Sequence, residues 1–263
     1  MIEVKDLYYE YEDGTRALEN INIDGSKGRV VGIIGANGSG KSTLFLNIMG
    51  ILRPRSGSIY YDGSKLKYSK KFIRDYRKDV NIVFQNPDQQ LFYSDVYDDI
   101  AFALRNLGVS EEEIKDRAVK ALEEVGCLDL IDKPIHFLSY GQKKRISIAG
   151  ILALNGRVIL MDEPTSGLDP EMTREMKGVI ERISRDRNIF ISSHDMDLIY
   201  EICDYIYVIN KGRITCSGSP EEVFTRTDIL EDAKLNKPWL VKIHEKLGLP
   251  LFESEEEFLN YNK

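Results

Sequence analysis

Eight residues in a row carry the first recognisable chemistry. Gly35-Ala36-Asn37-Gly38-Ser39-Gly40-Lys41-Ser42 fits the pattern GxxxxGK[ST], and Thr43 follows it directly. Glycines let successive backbone N–H groups turn toward phosphate oxygens, and a helix opening behind them presents its positive end to the same anion. Lys41 then reaches the β- and γ-phosphates as a point charge, while the Ser42 hydroxyl ligates Mg²⁺. Farther along, Val158-Ile159-Leu160-Met161-Asp162-Glu163 is an apolar run that ends in two carboxylates. An aspartate at the end of a buried strand holds Mg²⁺ through its water shell, which is the role expected of Asp162. Glu163, one residue on, is placed to polarise a water for in-line attack on the γ-phosphorus. His194, in Ile191-Ser192-Ser193-His194-Asp195, follows a further strand-like run and can hydrogen-bond the γ-phosphate or the attacking water. An acidic strand end or a lone histidine says little by itself. Downstream of a phosphate-binding loop, both point to hydrolysis of ATP, with Mg²⁺ as the metal.

These groups need strands and helices to carry them. Ile2 to Tyr11 alternates apolar and polar residues ahead of Asp13-Gly14, which predicts a strand and a hairpin turn, with Ala17 to Ile23 as the return strand. Gly28 to Ile34 is β-branched without alternation, as a strand buried on both faces of a mostly parallel sheet requires. The glycine-rich loop and an apolar helical stretch from Ser42 to Leu52 follow, completing the first unit of an α/β fold. Glu111 to Val125 places Ile114, Ala118, Val119, Ala121, Leu122 and Val125 at helical spacing behind an acidic start. Residues 86–155 therefore read as a helical lobe inserted between two sheet strands. The α/β pattern resumes with Val158 to Met161, a helix through Glu171 to Ile183 and a strand over Ile189 to Ser192. From Pro220 onward the chain is helical and polar, with a break at Pro238-Trp239 and an acidic end at Glu253 to Glu257.

Further residues acquire a role through a family resemblance. Leu138-Ser139-Tyr140-Gly141-Gln142-Lys143-Lys144-Arg145 resembles the signature segment of ABC ATPases, and Ser166-Gly167-Leu168-Asp169 looks like their D-loop. Gln85 matches their Q-loop glutamine and Tyr11 their adenine-stacking aromatic, although Tyr8 and Tyr9 beside it leave plain strand packing open. The motifs stand in the family's order over nearly the whole chain. The resemblance implies a phosphate-loop ATPase core with a mixed, mostly parallel sheet, an antiparallel β lobe, the inserted helical subdomain and a C-terminal helical extension. On this reading the ATPase domain spans 1–220 and the extension 221–263.

The resemblance also implies a mechanism. Two such subunits pair head to tail, and Ser139, Gly141 and Gln142 of one bind the γ-phosphate held by the other. Asp169 communicates between the two sites, and Gln85 serves both the metal and the catalytic centre. Tyr140 stands where the family's signature usually has glycine; its side chain need not contact phosphate, so activity is expected to survive. The segment Val83 to Phe92, with Asp98 to Gly108 and the Gly-Gln-Lys-Lys-Arg run, is similar to the energy-coupling-factor group of cobalt- and nickel-type importers. Such ATPases drive a transmembrane coupling protein that carries a substrate-binding membrane subunit. The transported substrate on this reading is cobalt, nickel or a vitamin.

The resemblance implies a peripheral role at the cytoplasmic face of the cell membrane, and composition limits the alternatives. The chain has 263 residues, a formal net charge of -7 and a pI near 5.2, unlike the basic face that nucleic acid requires. No apolar run approaches the roughly 18 residues of a membrane span, so membrane contact is expected only through partners. Cys127, Cys203 and Cys216 form no CxxC pair and read as reduced structural residues. The competing readings are an importer of another class and a soluble ABC ATPase of DNA repair or translation, although the latter proteins typically carry long coiled-coil or zinc-bearing insertions. Homodimer and heterodimer both remain open, since this chain holds the motifs for both halves of a composite site.

Overall fold

Strands β1 (Ile2–Glu10) and β2 (Arg16–Asp24) form the antiparallel hairpin that the alternation predicts, with Glu3 opposite Asp24 and Glu10 opposite Arg16. The computed structural model describes residues 1–261. Ile2 and Val4 face inward, and a register shift carrying Asp6 at φ 48° turns Leu7 to the same buried side. Every residue of β3 (Val30–Ile34) is buried, as its unbroken apolar run requires. Helix α1 (Lys41–Ile48) ends four residues short of the predicted Leu52. The left-handed Gly50 at φ 63° stops it there, which the apolar character of Ile51 and Leu52 concealed. Strands β4 (Ser56–Tyr61) and β5 (Ser64–Lys65) complete an antiparallel sheet in the order β2-β1-β4-β5.

The chain packs as two compact units, one made of residues 1–66 and 190–263, the other of residues 67–189. The second unit holds α2 (Lys70–Asp79), β6 (Val80–Val83), α3 (Val96–Asn106), α4 (Glu111–Glu124), α5 (Tyr140–Ala153), β7 (Val158–Asp162) and α6 (Pro170–Ile183). Strands β6 and β7 pair in parallel, Val80 beside Val158 and Val83 beside Met161. Between them α3, α4 and α5 pack on one another, as the helical periodicity implied. Their core includes Ile100, Leu104, Ile114, Leu122 and Ile146, each at most 1% exposed. Ser110 caps α4 by accepting from the Glu113 N–H, and Glu111, Glu112 and Glu113 set negative charge at its positive end.

The chain returns to the first unit in β8 (Asn188–Ser192), then α7 (Met196–Ile202), β9 (Tyr205–Asn210) and β10 (Arg213–Gly218). The strands run in the order β10-β9-β3-β8, with β3 and β9 parallel and β10 antiparallel to β9. Asp204 fixes the start of this arrangement. Its Oδ2 accepts from the backbone N–H groups of Arg29 at 2.7 Å and Val30 at 2.8 Å, and its own N–H donates to the Val30 carbonyl at 2.9 Å.

The last helices are α8 (Pro220–Phe224), α9 (Thr227–Asp232), α10 (Trp239–Leu247) and α11 (Glu255–Leu259). They are strapped to α7. The Trp239 N–H donates to Asp197 at 2.7 Å, the Tyr200 hydroxyl to the Phe252 carbonyl at 2.9 Å and the Glu255 N–H to Glu201 at 3.0 Å. Phe252 is buried against the rings of Phe258 and Tyr261.

Removing the Asp204 carboxylate strands two backbone donors at the mouth of β3. Asp204→Ala is expected to lower stability by about 2 kcal/mol, read as a fall in the urea midpoint at unchanged slope. An unshifted midpoint would show that the carboxylate does not hold the strand.

Candidate nucleotide site

The first unit builds the phosphate loop at the end of β3. Gly40 sits at φ 113°, and a Cβ there would lie 2.6 Å from the Ala17 carbonyl oxygen, so only glycine fits. Gly35 is equally constrained, because a Cβ would lie 2.1 Å from the Ile209 carbonyl oxygen. The loop is tied down from its far side, where the Gly212 N–H donates to the Ser39 carbonyl at 3.0 Å. Lys41, only 6% exposed, folds back over the loop and donates to the carbonyls of Gly35 at 2.8 Å and Ala36 at 3.2 Å. These bonds hold the ammonium at the loop rather than letting it trail into solvent.

The donors fit a polyphosphate. The Ser39 hydroxyl oxygen is buried with no hydrogen-bond partner, which a phosphate oxygen or its water would supply. Asn37 and Gly38 are exposed at the crest of the loop, and Ser42 stands exposed in the first turn of α1. Thr43 is buried, and its Oγ1 lies 2.9 Å from the Tyr11 hydroxyl. That bond brings Tyr11 to the phosphate loop. The neighbouring Tyr9 ring packs edge-on against Tyr11 at 5.0 Å, and Tyr8 instead donates to Glu10. His194 follows β8, the neighbour of β3 in the sheet, and is exposed just ahead of Asp195, which caps α7 by accepting from the Leu198 N–H.

The second unit assembles the carboxylates and the signature segment. Asp162 ends β7 at 8% exposure, and Glu163 follows at 5%. Glu163 has φ 51°, a left-handed conformation that a non-glycine residue adopts at a cost of order 1 kcal/mol. Its carbonyl accepts from the Ser166 N–H at 3.2 Å and from the Lys144 ammonium at 2.8 Å. Burial pushes Lys144 down to about 8, against the pull of the Glu163 and Asp162 carboxylates.

Signature and D-loop residues serve as helix caps. Ser139 and Gln142 form a reciprocal capping box at the start of α5, with Ser139 accepting from the Gln142 N–H and the Gln142 side chain accepting from the Ser139 N–H. Gly141 is buried beneath Met172, whose sulfur would lie 2.5 Å from an added Cβ. Asp169 caps α6 by accepting from the Met172 N–H at 2.8 Å. Gln85 is exposed; its side-chain amide lies 3.4 Å from the Ser166 hydroxyl, and its carbonyl accepts from the Tyr140 hydroxyl at 3.3 Å.

Each unit thus gathers a distinct set: Tyr11, the phosphate loop and His194 in the first, and Gln85, Ser139 to Gln142, Asp162, Glu163 and Asp169 in the second. Ser42 in the first unit and Asp162 in the second each carry a hard oxygen donor of the kind that suits Mg²⁺. Lys144 and Gln90 escaped sequence reasoning. Gln90 accepts from the Phe84 N–H within its own loop and donates to the Ser147 carbonyl, and the second contact depends on how α5 packs. The Lys-Lys-Arg run was the only available signal for Lys144.

Truncating Lys41 removes the charge that the loop carbonyls hold in place. Lys41→Ala is expected to weaken ATP binding by at least about tenfold in calorimetry, with thermal stability in the absence of nucleotide nearly unchanged. Wild-type affinity would remove Lys41 from the phosphate site.

Comparison with known proteins places the chain in a family. The family model described as ABC transporter matches residues 18–166. The cobalt import ATP-binding protein CbiO of Salmonella paratyphi A is 49% identical over 99% of this chain and 96% of its own length. The energy-coupling factor transporter ATP-binding protein EcfA of Methanosphaera stadtmanae is 46% identical over 94% of this chain and 89% of its own. Among solved structures, cbiO1 of Clostridium perfringens, part of the ABC transporter complex cbiONQ, superposes with a TM-score of 0.80 at 40% identity. That match covers 94% of this chain and 95% of the other. With the phosphate loop after β3 and the buried carboxylates after β7, the chain belongs to the ABC transporter family as an ATP-hydrolysing subunit of the energy-coupling-factor branch.

Proposed function

We propose that this chain hydrolyses ATP as one half of a nucleotide-sandwich dimer and thereby drives cobalt import at the cytoplasmic face of the cell membrane. The observation that carries the reading is the placement of the reactive groups. The phosphate loop, Asp162-Glu163 and His194 each lie at the carboxyl end of a buried strand or within two residues of it, where the sheet fixes the backbone that carries them. Cobalt is supported by the full-length similarity to a cobalt import protein. Nickel and vitamins are the other cargoes that the branch accommodates.

In this mechanism the loop N–H groups, Lys41 and Thr43 hold the triphosphate, and Tyr11 stacks on the adenine. Ser42, Asp162 and Gln85 would hold Mg²⁺, which would neutralise phosphate charge. Glu163 accepts hydrogen bonding from the attacking water and aligns it, with His194 steadying the γ-phosphate. Ser139, Gly141 and Gln142 reach the γ-phosphate held by a second ATPase subunit, identical or different, at the positive end of α5. Asp169 passes the state of one site to the other. Closure excludes water from the pair of sites, and hydrolysis reopens it. A transmembrane coupling protein and a substrate-binding membrane subunit take up that motion.

Two measurements test this. Glu163→Gln is expected to retain ATP binding while turnover falls by about 100-fold or more, leaving a stable closed dimer. Hydrolysis at the wild-type rate would exclude Glu163 as the water-polarising group. The chain, purified with its membrane partners and placed in vesicles, is expected to accumulate radiolabelled cobalt only with ATP. Accumulation of nickel or a vitamin in its place would overturn the cargo, and co-purification with nucleic acid would overturn transport.

A further inference from the structure

Lys144 lies one turn into α5 and is 3% exposed. A buried ammonium is costly unless oxygen atoms surround it. Here the oxygens are main-chain ones, the carbonyls of Glu163 at 2.8 Å and Pro164 at 3.1 Å. These carbonyls belong to the turn whose first residue, Glu163, is held at φ 51°. One turn back on the same face of α5, the Tyr140 ring lies with its centroid 5.4 Å from the Lys144 nitrogen, within cation–π range. The other edge of that ring rests on the D-loop, where a Cβ on Gly167 would be 3.1 Å from it. Its hydroxyl donates to the Gln85 carbonyl at 3.3 Å.

We propose that Lys144 is a positioning residue for Glu163, clamping the carbonyls of the Glu163-Pro164 turn so that the glutamate keeps its left-handed backbone and its aim. Tyr140 closes the clamp by covering the ammonium and linking it to Gln85 and Gly167. The tyrosine at this signature position thus has its own work, as a lid on Lys144 and a brace between the Q-loop and the D-loop. An ammonium suits the task because its three donors diverge tetrahedrally toward neighbouring carbonyls, whereas a planar guanidinium spreads its donors over a wider fork. The inference rests on the reading of Glu163 as the water-polarising group.

The test uses the full-length chain with Lys144→Met, Lys144→Arg, Tyr140→Leu and Glu163→Gln measured side by side. Lys144→Met is expected to lower kcat for ATP by about tenfold or more, with KM and nucleotide affinity within about twofold. Lys144→Arg restores a donor and is expected to recover part of that kcat. A merely structural lysine would instead lower stability and raise KM together, without rescue by arginine, and that pattern overturns the proposal. If Lys144→Met does not fold, Tyr140→Leu decides: a severalfold loss of kcat at constant KM supports the clamp, and wild-type kcat overturns it. Turnover lost in Glu163→Gln but intact in Lys144→Met sinks the clamp alone. Turnover intact in Glu163→Gln sinks the reading of Glu163 itself.

Discussion

A loop that binds a polyanion through its own main chain must keep its inner wall free of side chains while the surrounding structure stops it from collapsing. That constraint organises the first unit. Gly35 and Gly40 are required because neighbouring carbonyls of Ile209 and Ala17 occupy the space a side chain would need. Those carbonyls belong to β9 and β2, so sheet pairings far along the chain decide the shape of a loop of eight residues. Asp204 anchors β3 from the opposite end through the N–H groups of Arg29 and Val30. The strand is thereby fixed before it delivers the loop, and the cost of ordering the site is met during folding rather than during binding.

In the second unit the organising element is α5. One of its faces carries Tyr140, Lys143, Lys144 and Ser147, at the three- and four-residue spacing that aligns side chains on a helix. Tyr140 reaches the Gln85 carbonyl, Lys143 pairs with Asp88 at 2.8 Å, Lys144 holds the Glu163 turn, and the Ser147 carbonyl accepts from Gln90. Displacing the helix would therefore disturb the Q-loop and the carboxylate turn together. The Lys143 to Asp88 pair is partly exposed and contributes little by itself. The Lys144 contacts matter more, because the ammonium is buried and these carbonyls supply the acceptors it would otherwise lack.

The capping roles of Ser139, Gln142 and Asp169 belong to the same logic. Each residue occupies a helix N-terminus, where unpaired N–H groups and the helix dipole already favour negative charge. The straps from Trp239, Phe252 and Glu255 onto α7 give the C-terminal helices a definite attachment, on the helix that begins two residues after His194.

Much of this was legible in the residues themselves. The β1–β2 hairpin, the buried β3, the amphipathic α4, the carboxylate-ended β7 and α6 all follow from short-range patterns of apolar spacing and turn chemistry. Phosphate-loop chemistry is equally local, since glycine, lysine and serine act there through adjacent main-chain geometry. The end of α1 was missed because a left-handed Gly50 competes with an apolar run that reads as continuing helix. Tertiary structure alone decided that Tyr11, rather than Tyr8 or Tyr9, meets Thr43, and that Tyr140 touches Gln85 and Gly167. It alone placed Lys144 under the Glu163 turn, 19 residues away along the chain. Sequence determines which groups can react because reactivity belongs to the side chain and its near neighbours. Which carbonyl a buried ammonium finds is settled only when helix and strand pack, since nothing in the local pattern encodes the partner.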